Sequence, residues 1–260
     1  MSMQIYLWAL VVALGLAIGS FVNVLIYRLP KHESIFWPRS RCPSCKHVIR
    51  WHHNIPVLSW LILRGRCAFC GKRIGAIYPG VELICALLFA AFYARYGVSF
   101  TTLGFWYMAA TLLAVFFIDL EHQIIPNKLT YPGVVVGVAT AFVSAHLTVL
   151  QSLLGVLAGV ALFAGIAFLG RLLFKEESMG GGDVKLAAML GAFLGAGKMM
   201  IVLVLSAAIG LVISLAVMLV SPRLRQERLV PFGPFLAIAT LVVAFFGESI
   251  VGYYVRHFLR

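Results

Sequence analysis

Only two of the 260 residues are aspartates, Asp119 and Asp183. Asp119 closes an apolar run in FFIDLEHQIIPNKLTYPG, and Asp183 follows Gly180, Gly181 and Gly182 in SMGGGDVKL. Ionisable groups at membrane depth are costly and are functional candidates by default. Two carboxyl groups brought close together cannot both ionise easily, so the pair shares a proton. One can then activate water while the other protonates a leaving amine, the logic of aspartic proteases. The competing reading is structural, with each aspartate capping a helix or pairing with Lys128, Lys185 or a neighbouring arginine. The glycines would let the chain reach positive φ and let another backbone approach Asp183. They point to a packed or hydrated recess open enough for an extended peptide.

A second constellation is Cys42-Pro-Ser-Cys45 with Cys67-Ala-Phe-Cys70, separated by 21 residues. Each pair presents two thiolates from one tight turn, and two such knuckles complete a tetrahedral four-sulfur site for Zn²⁺. Four sulfurs close the coordination shell, so the zinc is structural rather than catalytic. A disulfide arrangement is the alternative, and a cytoplasmic location disfavours it. His47, His52 and His53 are read as solvated loop residues rather than extra ligands. Cys85 is an apolar filler, and Ser20 a packing residue beside Gly19. Glu121, Lys128 and Lys185 are candidate neighbours of the aspartates.

These groups sit in a chain that is 62% hydrophobic and 12% charged, with a mean hydropathy of +0.99. Soluble domains are about 25% charged. Apolar runs recur that are long enough to cross roughly 30 Å of hydrocarbon. They are continuous rather than alternating, which argues against a β-barrel. The expected fold is an all-α polytopic membrane protein of about eight transmembrane helices, over 5–27, 80–97, 101–120, 131–150, 152–170, 186–197, 199–220 and 231–251. The sixth span is short, and either tilts or begins inside the glycine segment. The first has no basic segment ahead of it and reads as a retained anchor. The expected organisation is a first span (1–27), a cytoplasmic four-cysteine zinc-ribbon-like domain (28–79) and a transmembrane core (80–260).

With eight spans, 17 of the 21 lysines and arginines fall in alternate loops on one side. That asymmetry makes this side cytoplasmic and puts both termini outside. The net charge of +12 is thereby topological; the partner it implies is acidic phospholipid, and no nucleic acid is expected. Both aspartates then lie at cytoplasmic span ends at similar depth. No H-E-x-x-H or G-x-S-x-G motif occurs. GAFLGAG at 191–197 follows no strand, and its small residues suit close helix contacts. The residues by themselves suggest a membrane hydrolase.

With these residues in view, the sequence resembles the bacterial type IV prepilin peptidases, also called prepilin leader peptidases/N-methyltransferases. These belong with presenilin to the GxGD class of intramembrane aspartyl proteases. The resemblance runs in order through GSFVNVLIYRLP (19–30), the cysteine region followed by YPGVE, FIDLEHQIIPNKLTYP, GGGDVKLAAMLGAFLG and VPFGPFLA (230–237). It implies an enzyme of the bacterial inner membrane that cleaves basic leaders from type IV prepilins and type II secretion pseudopilins on the cytoplasmic face. By motif match Asp119 and Asp183 are its catalytic pair, and Gly180, Gly181 and Gly182 form the active-site backbone. Bifunctional members then methylate the new N-terminus with S-adenosylmethionine, and the cysteine-bearing loop is characteristic of them. No Rossmann glycine pattern marks a methyl-donor site here. Glu82, Glu176 and Glu177 are candidate attractors for the basic leader. The alternatives are a peptidase without methyltransferase activity and, from another class, a transporter using the two aspartates.

Overall fold

The computed structural model describes residues 2–144, 146–174, 179–220 and 231–258. Its order is α1 (Ser2–Arg28), α2 (Leu58–Ile62), α3 (Ile77–Tyr96), α4 (Phe100–His122), α5 (Asn127–Val143), α6 (Val149–Phe174), α7 (Gly181–Val220) and α8 (Gly233–Phe258). Among the described residues there is no strand, only two isolated bridges, Arg41 with Val48 and Arg66 with Arg73. Six helices are long and apolar enough to cross a membrane, and α5 adds a shorter one of 17 residues. The expected membrane-protein architecture is borne out.

The backbone divides into two compact units, Met1–Ala114 and Val115–Arg260, the division falling inside α4. In the first unit, α1 and α3 pack at backbone distance. A Cβ added to Gly15 would lie 2.6 Å from the Ala86 Cα, and one added to Gly19 would lie 2.6 Å from the Glu82 Cα. Cys85 is buried in this seam, the filler role expected of it. On the other side of α3, Phe92 stacks on Phe105 and Phe89 on Trp106, whose indole N–H donates to the Phe89 carbonyl at 2.9 Å.

In the second unit, α6 lies antiparallel to the first part of α7. A Cβ on Gly159 would lie 2.7 Å from the Ala187 carbonyl carbon, and one on Gly155 would strike the Gly191 carbonyl oxygen. The Ser152 hydroxyl donates to the Ala192 carbonyl at 2.7 Å. The small residues of 191–197 thus do what their spacing suggested, letting two helices touch through their backbones.

Helix α7 is two arms. At Gly195 the backbone leaves helical geometry, with φ 77° and ψ 168°. An unbroken helix would separate Asp183 from Gly210 by about 40 Å at 1.5 Å per residue. Yet Asp183 interacts electrostatically with Asp119, whose carboxylate bonds Gly233, and Gly210 packs on the ring of Phe235. The chain therefore reverses at Gly195 and returns antiparallel to α8, where Lys198 pairs with Glu248 at 3.5 Å. The two expected spans 186–197 and 199–220 are these arms. The first arm begins at Gly181, inside the glycine segment. The positive φ that the glycine run suggested falls at Gly195 instead; Gly180, Gly181 and Gly182 do not adopt it.

Candidate active site and metal centre

Asp119 sits in the last turn of α4, and its side chain is buried. Just beyond it α4 ends: Gln123 takes a left-handed φ of 54° and donates its N–H to the Asp119 carbonyl at 2.9 Å. A left-handed residue closing a helix satisfies carbonyls that would otherwise be orphaned. Pro126 then precedes α5. The Asp119 carboxylate accepts the backbone N–H of Gly233, the first residue of α8, at 2.9 Å. It thereby supplies an acceptor to a helix N-terminus whose first N–H groups have no partner of their own.

Asp183 lies in the first turn of α7 and is half-buried. Its N–H donates to the Gly180 carbonyl at 3.1 Å, and the backbone of Gly180 in turn hydrogen-bonds the Asp183 carboxyl. The two carboxyl groups are close enough to act on one another electrostatically. The segments carrying them are laced together at three further points. A Cβ on Gly182 would lie 3.0 Å from the Ile125 Cβ, so the first turn of α7 rests against the α4–α5 connection. Lys185 donates to Asn127 Oδ1 at 3.0 Å and lies 5.7 Å from the Tyr131 ring.

Among the described residues neither aspartate forms an ion pair with a lysine or arginine; Lys185 turns to Asn127. Of the structural roles weighed for them, helix capping applies to both, to Asp119 at the start of α8 and to Asp183 through the Gly180 backbone at the start of its own helix, and charge pairing to neither. Two adjacent carboxyl groups, one buried and one half-buried, form a set suited to general acid–base chemistry. Sequence reasoning missed Gly233, Ile125 and Asn127 as members of this assembly. The signal was available only as the PFGP punctuation before α8, which marks a helix start.

The four-cysteine cluster belongs to the first unit. The sulfurs of Cys42, Cys45, Cys67 and Cys70 all lie within 4.8 Å of one another. All are free thiols, and Cys42 and Cys70 are 3.9 Å apart sulfur to sulfur. A tetrahedral cation about 2.3 Å from each sulfur would set them roughly 3.8 Å apart, so the cluster can hold a metal ion. The two knuckles share one backbone plan. Cys42 N–H donates to the His47 carbonyl and Lys46 N–H to the Cys42 carbonyl; Cys67 N–H donates to Lys72 and Gly71 N–H to Cys67. Lys46 and Gly71, at the same place in each turn, both have left-handed φ. The backbone N–H of Cys45, foremost, holds the Cys42 thiol down to about 6. His47 stacks on Phe69, with ring centroids 3.5 Å apart, and joins no metal cluster among the described residues; nor do His52 and His53.

Two sequence expectations are corrected by this geometry. Glu82 is no surface attractor for a basic peptide: it is 8% exposed, and its carboxylate accepts the Val57 N–H at 2.7 Å and the Ser20 hydroxyl. Ser20 accordingly has a polar partner beyond packing beside Gly19. Glu176 and Glu177 lie outside the described residues.

Residues 13–96 match the bacterial peptidase A24 N-terminal domain, and residues 106–215 match the type IV leader peptidase family. Among its relatives, a prepilin leader peptidase/N-methyltransferase of Aeromonas hydrophila is 36% identical over 97% of this chain and 95% of its own length. One of Stutzerimonas stutzeri is 35% identical over 94% of this chain and 92% of its own. One of Myxococcus xanthus is 41% identical over 81% of this chain but only 63% of its own length. No solved structure matches the chain. The chain belongs to the type IV leader peptidase family.

Proposed function

We propose that the protein is a membrane aspartyl endopeptidase that removes the basic leader of type IV prepilins and pseudopilins at the cytoplasmic face, with Asp119 and Asp183 as its catalytic pair. The observation that carries this reading is the meeting of the chain's only two aspartates, each on its own helix end, in a chain of this family. One carboxylate takes a proton from water as the oxygen attacks the scissile carbonyl carbon. The other carboxyl group gives a proton to the departing amine, which leaves as the C–N bond breaks. Because the two groups interact, acid and base roles belong to the pair. Gly180 and Gly233 hold the two carboxyls through their backbones.

The orientation follows from the charge distribution: residues 28–79 and both aspartates face the cytoplasm of an inner membrane. The four cysteines hold a structural Zn²⁺ in this reading, their donor set and spacing matching tetrahedral thiolate coordination. The relatives' names support a second activity, N-methylation of the newly exposed N-terminus, for which S-adenosylmethionine supplies the methyl group.

The test is cleavage of a prepilin by the wild type, Asp119→Asn and Asp183→Asn in detergent or membranes. Loss of processing in both variants, with insertion intact, is expected; full cleavage by either one refutes the pair. Mass spectrometry of the mature pilin after adding S-adenosylmethionine reads the second activity.

A further inference from the structure

Residues 55–63 read IPVLSWLIL, an apolar stretch too short to cross a membrane and set between Arg50 and Arg64. Its helix, α2, has two faces. Inward, the Ser59 hydroxyl donates to the His52 carbonyl and accepts the Ile55 N–H, both at 2.9 Å. The Trp60 indole N–H donates to the Ile74 carbonyl at 3.1 Å. Outward, Leu58 and Leu61 are each 57% exposed and Ile62 78%. Positions i, i+3 and i+4 share one side of a helix, so the three form a single open apolar patch.

Glu82 sets the depth of this patch. Its carboxylate accepts the Val57 N–H at 2.7 Å and the Ser20 hydroxyl. Ser20 stands eight residues, about 12 Å, inside the Arg28 end of α1. Glu82 stands five residues, about 7.5 Å, inside the Ile77 end of α3. Both helices are long and apolar enough to span. Tyr27 and Tyr78, at their ends, lie where aromatic side chains mark a membrane interface. Leu58 follows Val57 directly, so the patch hangs beside the outer turns of two spans. An interfacial helix buries its apolar face by about 5–10 Å, the same range.

Backbone that enters lipid must satisfy its polar groups within the protein. Here the N–H groups of Ser59, Leu61 and Leu63 donate to the carbonyls of Ile55, Val57 and Ser59. The Val57 N–H, at a turn with φ 60°, goes to Glu82. Charge completes the match. Residues 28–79 hold ten lysines and arginines and a single acid, Glu33. Arg64 and Arg66, both exposed, follow the patch at once, and lipid phosphates are their complement.

We propose that residues 55–63 are a re-entrant interfacial segment. Leu58, Leu61 and Ile62 lie against phospholipid acyl chains, and Arg64 and Arg66 meet the phosphates of the same leaflet. That leaflet is the cytoplasmic one in the orientation proposed above; the aspartate chemistry plays no part in the inference. The segment also sets the height of the second knuckle. Cys67 lies five residues beyond Ile62. Gly65, between them, packs on Trp60, where an added Cβ would lie 2.9 Å from the ring. The cysteine region is thus seated in the membrane at one edge rather than free in the cytoplasm.

The experiment uses the full-length, metal-loaded wild type, so no variant has to fold. It is reconstituted in vesicles of phosphatidylethanolamine and phosphatidylglycerol, with a trace of phosphatidylcholine carrying a diazirine midway along one acyl chain. After ultraviolet irradiation, mass spectrometry maps the adducts, and label on α1 shows that the protein is inserted. Label is expected on Leu58, Leu61 and Ile62, and at least about tenfold less on the knuckles at 42–48 and 67–73, which stand outside the hydrocarbon. Label on α1 with none on 55–63 overturns the proposal. So does equal label on the knuckles, which would lay the whole loop on lipid. The rival occupant of the patch is the apolar helix of a peptide. Excess prepilin added before irradiation should leave the label on 55–63 unchanged; its selective loss there assigns the patch to peptide and overturns the proposal too. None of these outcomes bears on cleavage by the aspartate pair, which stands or falls separately.

Discussion

The carboxylate of Asp119 accepts the backbone N–H of Gly233, 114 residues further along the chain, at 2.9 Å and out of contact with water. One side chain thus serves both the proposed chemistry and the seating of α8. The two roles separate by substitution. Asp119→Asn keeps an oxygen to accept the N–H but loses the carboxyl group, so cleavage should drop at least about 100-fold with thermal stability close to wild type. Asp119→Ala leaves the N–H buried and unpaired, a cost of about 1–3 kcal/mol, and should be inactive and also less heat-resistant. Unfolding midpoints in one detergent, measured beside prepilin cleavage, check the pattern.

Gly233 is held to its size by the same contact. A Cβ there would lie 2.6 Å from the Asp119 Oδ2. Gly233→Ala should displace the carboxyl by a fraction of an ångström to an ångström and slow cleavage by about 10- to 100-fold. The fall should appear in kcat more than in KM, because no substrate-contacting side chain is removed. A rate equal to wild type would show that Asp119 tolerates the shift.

The α6–α7 seam predicts a purely structural effect. Gly155 and Gly191 meet backbone to backbone, and no side-chain tip stands between them to yield. Gly155→Val should destabilise the protein by about 1–3 kcal/mol, seen as a lower unfolding midpoint. Gly165, whose added Cβ meets nothing within 4 Å, is the control: Gly165→Ala should be neutral.

The cysteine cluster should carry one zinc per chain, measured by elemental analysis, and Cys42→Ser should lose most of it. Thiolates bind the metal and thiols do not, so protons compete with it. The Cys42 thiol, held down to about 6 chiefly by the Cys45 N–H, keeps its charge until the pH falls to that value. The Cys45 thiol, in spite of the His47 backbone bond, is pushed up to about 11 by desolvation and the neighbouring thiols. Protons therefore compete already at neutral pH, so metal retention against a fixed chelator should fall continuously from pH 7.5 and more steeply once the pH drops through 6.

Much of this was legible beforehand because it rests on local chemistry. Runs of apolar residues define spans, the C-x2-C pairs define knuckles, and the scarcity of aspartate singled out Asp119 and Asp183. What could not be read is tertiary. Glu82 looked like a free charge beside a basic loop, and only packing against α1 shows it buried under Val57 and Ser20. The glycines before Asp183 were expected to relax the backbone, yet they start a regular helix, and Gly182 serves by giving Ile125 room. Gly233 carries no chemical group at all. A backbone N–H becomes a functional partner only when a distant helix end brings it there.

The reversal at Gly195 bears on how the chain enters its membrane. The arm from Gly181 to Leu194 rises only about 21 Å, short of a hydrocarbon layer of roughly 30 Å, and it is joined to the second arm by no polar loop. The first arm by itself is no self-sufficient insertion unit, and it depends on the longer second arm that follows it. The pair must be laid into the lipid as one hairpin, and Asp183 reaches its place only when the second arm has followed the first. Assembly of the proposed active site is in this sense a late event of biogenesis, completed after synthesis has passed residue 220 and α8 has brought Gly233 to Asp119.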